Sequence, residues 1–209
     1  MLVDLSHAIS EGMPAYPGDG PVEVRRVEIE APWRMLRLAL GTHAGTHIDA
    51  ARHYVPGGRT IDEYPLERFV PDAWVVHLEV TSDAAISWAA LDAGLPRSGL
   101  AQAAVLLHTG WDRHWGRPDA VHHPYLAAEA ARRLADAGVG LVGTDAFSLD
   151  ATAGGTEHAH EALLGADVLI VENLTHLERL EGAGPYRCAF MPLRIEGGDG
   201  SPIRAYAYV

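Results

Sequence analysis

The stretch His43-Ala44-Gly45-Thr46-His47-Ile48-Asp49-Ala50-Ala51-Arg52-His53 packs three histidines and an aspartate into eleven residues. Imidazole and carboxylate together are the usual ligand set for zinc, manganese or iron. Positions 43, 47, 49 and 53 are all odd, so an extended strand would turn them to one side. A helix would bring His43 and His47 together but point Asp49 away. A straight strand over these residues spans roughly 33 Å at about 3.3 Å per residue, too far for one ion. The chain must bend, and Gly45 is where a bend costs least. The plain alternative is a loop of surface histidines. Three of the chain's 12 histidines within eleven residues favour the metal reading.

Outward from this cluster, the sequence reads as one α/β domain over residues 1–209, a mixed β-sheet with flanking helices. Upstream, 22–30 (VEVRRVEIE) and 35–40 (MLRLAL) read as strands, the second feeding straight into His43. Downstream, 73–80, 103–108, 139–143, 167–172, 186–195 and 202–208 are strand candidates, several of them compact apolar runs typical of buried strands. Ser87 to Ala93, Pro124 to Ala137 and Glu157 to Leu164 read as helices, each followed by glycine within a residue. Asp62 to Phe69 fits a short helix or an ordered loop.

Ligand sites in open α/β sheets gather at the carboxyl ends of strands. His108, Asp145 and Glu172 stand at such ends. Glu172 carries the most weight, because a carboxylate directly after an apolar strand is costly to bury unless a cation meets it.

The formal net charge of −12 argues against nucleic acid and anionic membrane surfaces as partners. No apolar run suffices to span a bilayer. No signal peptide is visible in MLVDLSHAIS, and Cys188 is the only cysteine, so a cytoplasmic location is the default expectation. Cys188 sits in an apolar stretch and is expected in the core. There is no GxSxG elbow, Walker loop or HExxH. Gly138 to Gly143 matches GxGxxG, but it follows a helix and enters a strand, the reverse of a dinucleotide site.

The cluster resembles the HxGTHxDxPxH signature of the metal-dependent cyclase family, which includes bacterial kynurenine formamidases and isatin hydrolases. Asp4-Leu5-Ser6, Tyr16-Pro17-Gly18-Asp19, the stretch Gly143 to Asp150, and His160 followed twelve residues later by Glu172 extend the likeness along nearly the whole chain. Ala51 departs from the motif's proline, Tyr16 stands where kynurenine formamidases commonly carry a tryptophan, and Thr109-Gly110-Trp111 is closer to the broader family.

The resemblance implies a cyclase-like fold of the swivelling β/β/α type. It implies one divalent ion held by His43, His47 and Asp49 and a second by Asp49, His160 and Glu172, with Glu172 reaching the first. Zn2+ is the expected cofactor, two per subunit, with Mn2+ the alternative. A bound dication lowers the pKa of its water from 15.7 to about 7, giving hydroxide for attack on a formyl or amide carbonyl. His53 titrates in the useful range and is the candidate general base and then acid, or else a ligand. Tyr16 and Trp111 are expected to wall an aromatic pocket. The leading reading is an arylformamidase acting on N-formylkynurenine in tryptophan degradation. The alternatives are a lactam or lactone hydrolase or cyclase on the same site, and a non-catalytic metal-binding protein. The family also implies a homo-oligomer, dimer or tetramer.

Overall fold

A computed structural model describes residues 1–209. Twelve strands occur in the order β1 (Leu2–Asp4), β2 (Glu23–Val27), β3 (Met35–Ala39), β4 (His47–Asp49), β5 (Asp72–His77), β6 (Ala85–Ile86), β7 (Ala104–His108), β8 (Tyr125–Leu126), β9 (Leu141–Thr144), β10 (Leu169–Glu172), β11 (Tyr186–Pro192) and β12 (Gly200–Tyr208). The helices are α1 (Trp88–Asp92), α2 (Ala128–Asp136) and α3 (His158–Gly165). Each downstream strand expected from the sequence has its counterpart.

The main sheet runs β1-β12-β11-β5-β7-β9-β10-β4 and closes on itself, because β12 also pairs with β4. One edge of β12 serves two partners: Gly200–Pro202 meet β4 antiparallel, and Tyr206–Tyr208 meet β1. The strands of β5, β7, β9 and β10 are mutually parallel, as their compact apolar runs require. Their side chains alternate between two cores. Val75, Leu106, Leu141 and Val171 fill the inside of the ring with Ile48 and Phe190. Val76, Val105, Leu107, Val142 and Ile170 face outward against α2 and α3. This two-sided burial is why those runs lack polar alternation.

Two expectations change in detail. The helix expected from Pro124 starts at Ala128. Tyr125 and Leu126 instead pair in parallel with β6, and the Leu126 N–H reaches the Leu149 carbonyl at 2.8 Å. Asp62 to Phe69 divides into two 3-10 turns, 61–63 and 66–69, because Tyr64 precedes Pro65 and is held extended. The GxGxxG stretch is structural. A Cβ on Gly140 would lie 2.7 Å from the Gln102 carbonyl oxygen, and one on Gly143 would lie 2.7 Å from Leu106 Cδ2. No helix is long and apolar enough to cross a membrane.

Of the three strand-end residues, His108 lies beside His77, Nδ1 to Nδ1 at 2.7 Å, away from the histidine cluster. Asp145 is buried and accepts the N–H groups of Thr109 and Gly110; burial raises its pKa to about 7. Only Glu172 reaches the candidate site.

The β2–β3 hairpin stands partly clear of the body. Val24 and Leu40 pack at its root beside Met13, Val22, Ala44 and Trp115. Leu36 and Leu38, on the same face as Val24, are more than half exposed, and Trp33 near the turn is 73% exposed.

Cys188 lies in the core, 1% exposed, and burial pushes its pKa up to about 12. At pH 8 it carries almost no thiolate. Titration with a thiol-reactive disulfide at that pH is expected to find no reactive thiol in the native protein and one after unfolding in guanidinium.

Candidate metal centre

The site follows from strand parity. In β4, Ile48 points into the ring, so His47 and Asp49 point out. In β10, Ile170 points out, so Glu172 does too. The antiparallel register places Glu172 opposite His47 and Ile170 opposite Asp49, which puts all three polar side chains on the helix-facing side. The first turns of α3 bring His160 over them. Asp150 fixes that helix start: its carboxylate accepts the N–H groups of Ala159 and His160 at 2.9–3.1 Å, two donors a helix N-terminus leaves free.

His43 follows β3, and the bend that brings it back over His47 occurs at Gly45, where φ is +67° and a Cβ would lie 2.6 Å from Met13 Cε. After Asp49 the chain turns through a 3-10 segment, Ala51–His53, which carries His53 back to the cluster. Ala51 serves in this turn without proline. Its N–H donates to the Tyr64 hydroxyl, and Gly58 packs against it so closely that a Cβ would lie 2.8 Å from the Ala51 carbonyl carbon.

Three ligand-capable groups result: His43, His47 and Asp49; Asp49, His160 and Glu172; and His43, His53 and Asp199. The first two match the division implied by the family, sharing Asp49. His47 Nε2 stands 3.4 Å from Asp49 Oδ1 and 3.5 Å from Glu172 Oε2. His160 Nε2 stands 3.6 Å from Asp49 Oδ2 and 3.5 Å from Glu172 Oε1. Two atoms bound tetrahedrally to one ion at about 2.0–2.1 Å stand about 3.3 Å apart, so these spacings suit a shared cation better than direct hydrogen bonds. Asp49 Oδ2 is buried without a hydrogen-bond partner, which a cation would supply. His43 Nδ1, at 2.7 Å from Asp49 Oδ1, is hydrogen-bonded.

Each of these histidines is held at its other nitrogen, which selects the one that faces the centre. His47 Nδ1 donates to the Gly45 carbonyl at 2.8 Å. His160 Nδ1 donates to Asp150 at 2.8 Å. His43 Nε2 meets Asp199 at 3.1 Å. Asn173, directly after Glu172, adopts φ +56° and also donates to the Gly45 carbonyl, tying β10 to the loop before β4.

The charges are in conflict without a cation. Burial alone would raise Asp49, but His43 and His47 hold it well below the usual carboxylate range. Burial lifts Glu172 to about 7; His160 opposes this and Asp49 adds to it. Burial opposes protonation of His43, yet Asp49 and Asp199 raise it to about 9. Burial drops His47 to about 4 and also lowers His53. Burial disfavours the charge on Asp150 and Asp199 as well, but contacts led by His160 and His43 respectively bring both to about 2.

A cavity of about 330 Å³ opens over this cluster. His43, His47, Asp49, His53, His160 and Glu172 form its floor with Ser148, Asp150 and Asn173. Tyr16 and Phe147 are neighbouring aromatic walls, ring centroids 6.1 Å apart, and Pro14 adds to them. Trp111 is not a wall. It is buried, stacks on His114 at 4.2 Å, and spends its indole N–H on the Ala120 carbonyl. Phe147 takes the place expected of it. The sequence reading missed Phe147, Asp150 and Asp199. Asp150 and Phe147 lie inside the quoted Gly143–Asp150 stretch, while Asp199, between two glycines before β12, gives only a weak signal.

A family model described as "Putative cyclase" matches residues 3–151. The kynurenine formamidase of Paracidovorax citrulli is 34% identical over 98% of this chain and 95% of its own length. Isatin hydrolase A from Labrenzia aggregata superposes with a TM-score of 0.89 at 25% identity, covering 99% of this chain and 93% of the other. A protein from Bacillus stearothermophilus described as a predicted metal-dependent hydrolase superposes with a TM-score of 0.81 at 27% identity, covering 99% of this chain and 97% of the other. The chain belongs to the cyclase family.

Because Asp49 enters both leading ligand groups, Asp49→Asn is expected to lower bound zinc or manganese more than His43→Ala or His160→Ala. Elemental analysis after dialysis against a weak chelator checks the order.

Proposed function

We propose that the protein is a metal-dependent amidohydrolase that cleaves an aryl formamide of the N-formylkynurenine type into the aryl amine and formate. The observation that carries this reading is a doubly shared carboxylate, Asp49, beneath a cavity with aromatic walls and a histidine, His53, at its floor. Its nearly full-length likeness to a kynurenine formamidase supports the substrate class.

His43, His47, Asp49, His160 and Glu172 would hold one or two divalent ions, zinc first and manganese as the alternative. When bound, such an ion supplies Lewis acidity and hydroxide at neutral pH. The chain's own residues do the rest. Tyr16 and Phe147 receive the aryl ring and orient the formyl group toward the floor. His53 accepts a proton from the attacking water and returns it to the departing nitrogen. The C–N bond breaks, oxygen from water joins the formyl carbon, and amine and formate leave. The cavity lining includes Asp19 and Glu157 but no arginine, which suits an ammonium group on the substrate.

A second reading, opening of an isatin-type lactam on the same floor, is favoured by the superposition on isatin hydrolase A. The site is otherwise the same, and the bond broken is again an amide C–N bond.

The protein is also read as a homodimer. A two-stranded hairpin is marginal alone in water, and here Leu36 and Leu38 continue the apolar face of its root past the body's edge. A second copy would cover them.

N-formylkynurenine, isatin and simple lactones assayed side by side with zinc-loaded and manganese-loaded protein are expected to show preferred release of formate from the formamide. Faster lactam opening would favour the second reading. His53→Ala is expected to keep its metal and lose about 10²- to 10⁴-fold in kcat; loss of metal would make His53 a ligand. In sedimentation, Leu36→Glu with Leu38→Glu is expected to convert a dimer to a folded monomer, and an unchanged mass would remove the hairpin from the interface.

A further inference from the structure

Asp199 reaches the cluster from beside β4, one residue before β12 begins. Its backbone is fixed before its side chain acts. The Asp199 carbonyl accepts the Ala50 N–H at 2.9 Å, and the next residue, Gly200, pairs with Asp49. Gly200 has no room for a side chain: a Cβ would lie 2.8 Å from His43 Cε1 and 2.7 Å from the Ile48 carbonyl oxygen. Residues 199 and 200 are therefore pressed against the ring of His43.

The carboxylate divides its two oxygens. Oδ1 accepts the Thr42 hydroxyl at 2.8 Å. Oδ2 lies between two imidazoles, 3.1 Å from His43 Nε2 and 3.4 Å from His53 Nδ1. The two rings lie almost in contact, centroids 3.9 Å apart and planes 36° from parallel. His43 Nδ1 is left for Asp49 and the centre, and His53 Nε2 has no protein hydrogen bond.

We infer that Asp199 is a positioning residue that clamps His43 and His53 to each other, one oxygen fixing which nitrogen each ring presents to the cavity. Through His43 it acts on cation affinity, and through His53 it acts on proton transfer. This rests on the proposed function in giving those two histidines their separate tasks. An outer carboxylate bonded to a ligand imidazole contributes about 10- to 100-fold in metal affinity or activity. Asp199 differs in serving a ligand and a proton carrier with the same oxygen.

The test uses the whole 209-residue chain with Asp199→Ala, Asp199→Asn and Thr42→Val, each shown to be folded by circular dichroism. Zinc affinity, measured by competition with a chromophoric chelator, is expected to fall about 10- to 100-fold in Asp199→Ala. At saturating zinc, kcat is expected to remain reduced about 10- to 100-fold with KM within about twofold of the parent. Asp199→Asn, which keeps an acceptor oxygen, is expected to recover part of both losses, and Thr42→Val to show a smaller loss of each. In nitrogen-15 spectra of the histidine rings, the Nδ1–H form of His53 is expected in the parent protein and lost in Asp199→Ala. Unchanged zinc affinity and an unchanged His53 tautomer in Asp199→Ala would overturn the inference. If the parent protein cleaves neither formamide nor lactam, the proposed function fails, while zinc affinity and tautomer still decide what Asp199 does.

Discussion

Two carboxylates, Asp49 and Glu172, are buried side by side on the outer face of a closed sheet, 1% and 4% exposed. Burying one ionised carboxylate is costly, and burying two together requires positive charge or protonation. The fold meets the requirement in part by packing His43, His47 and His160 around them. Between the protein's own groups the compromise is uneven, Asp49 held low and Glu172 raised to about 7. The local structure around the site serves this arrangement. The left-handed turn at Asn173, the bend at Gly45 and the capping of α3 by Asp150 all hold a ligand-capable side chain against the carboxylate pair.

Most of the fold was legible in the sequence because buried strands are written as compact apolar runs, and 103–108 and 167–172 are clear examples. Closure of the ring was not legible. It depends on β12 dividing one edge between β4 and β1, a long-range choice that no local pattern encodes. The short strands β4 and β1 were likewise hidden, since three residues give too little alternation to recognise. At Pro124 the local signals pointed to a helix start, but pairing with β6 held Tyr125 and Leu126 extended.

The candidate site was legible where ligand-capable residues cluster along the chain. His43, His47, Asp49 and His53 stood out by density, and Glu172 by the cost of a carboxylate after an apolar strand. His160 came from the resemblance, because one histidine on a helix with several histidines nearby has no distinguishing spacing. The aromatic walls were half legible. Tyr16 lines the cavity, whereas Trp111 is drawn into the core by its own hydrogen bond and by His114. A tryptophan in a loop can satisfy its N–H either way, and the sequence does not say which.

The double pairing of β12 also bears on how the protein is made. Residues 200–208 supply the strand that closes the ring and the segment that presses on His43, and synthesis delivers them after the rest of the ring. While the chain is still emerging from the ribosome, the parallel strands and helices can gather, but β4 has only one of its two neighbours. The strand that carries His47 and Asp49 is then an open edge, and His43 lacks its contact with Asp199. The cluster of ligand-capable side chains therefore takes its full arrangement only when β12 docks, so closure of the ring and completion of the candidate site are one event.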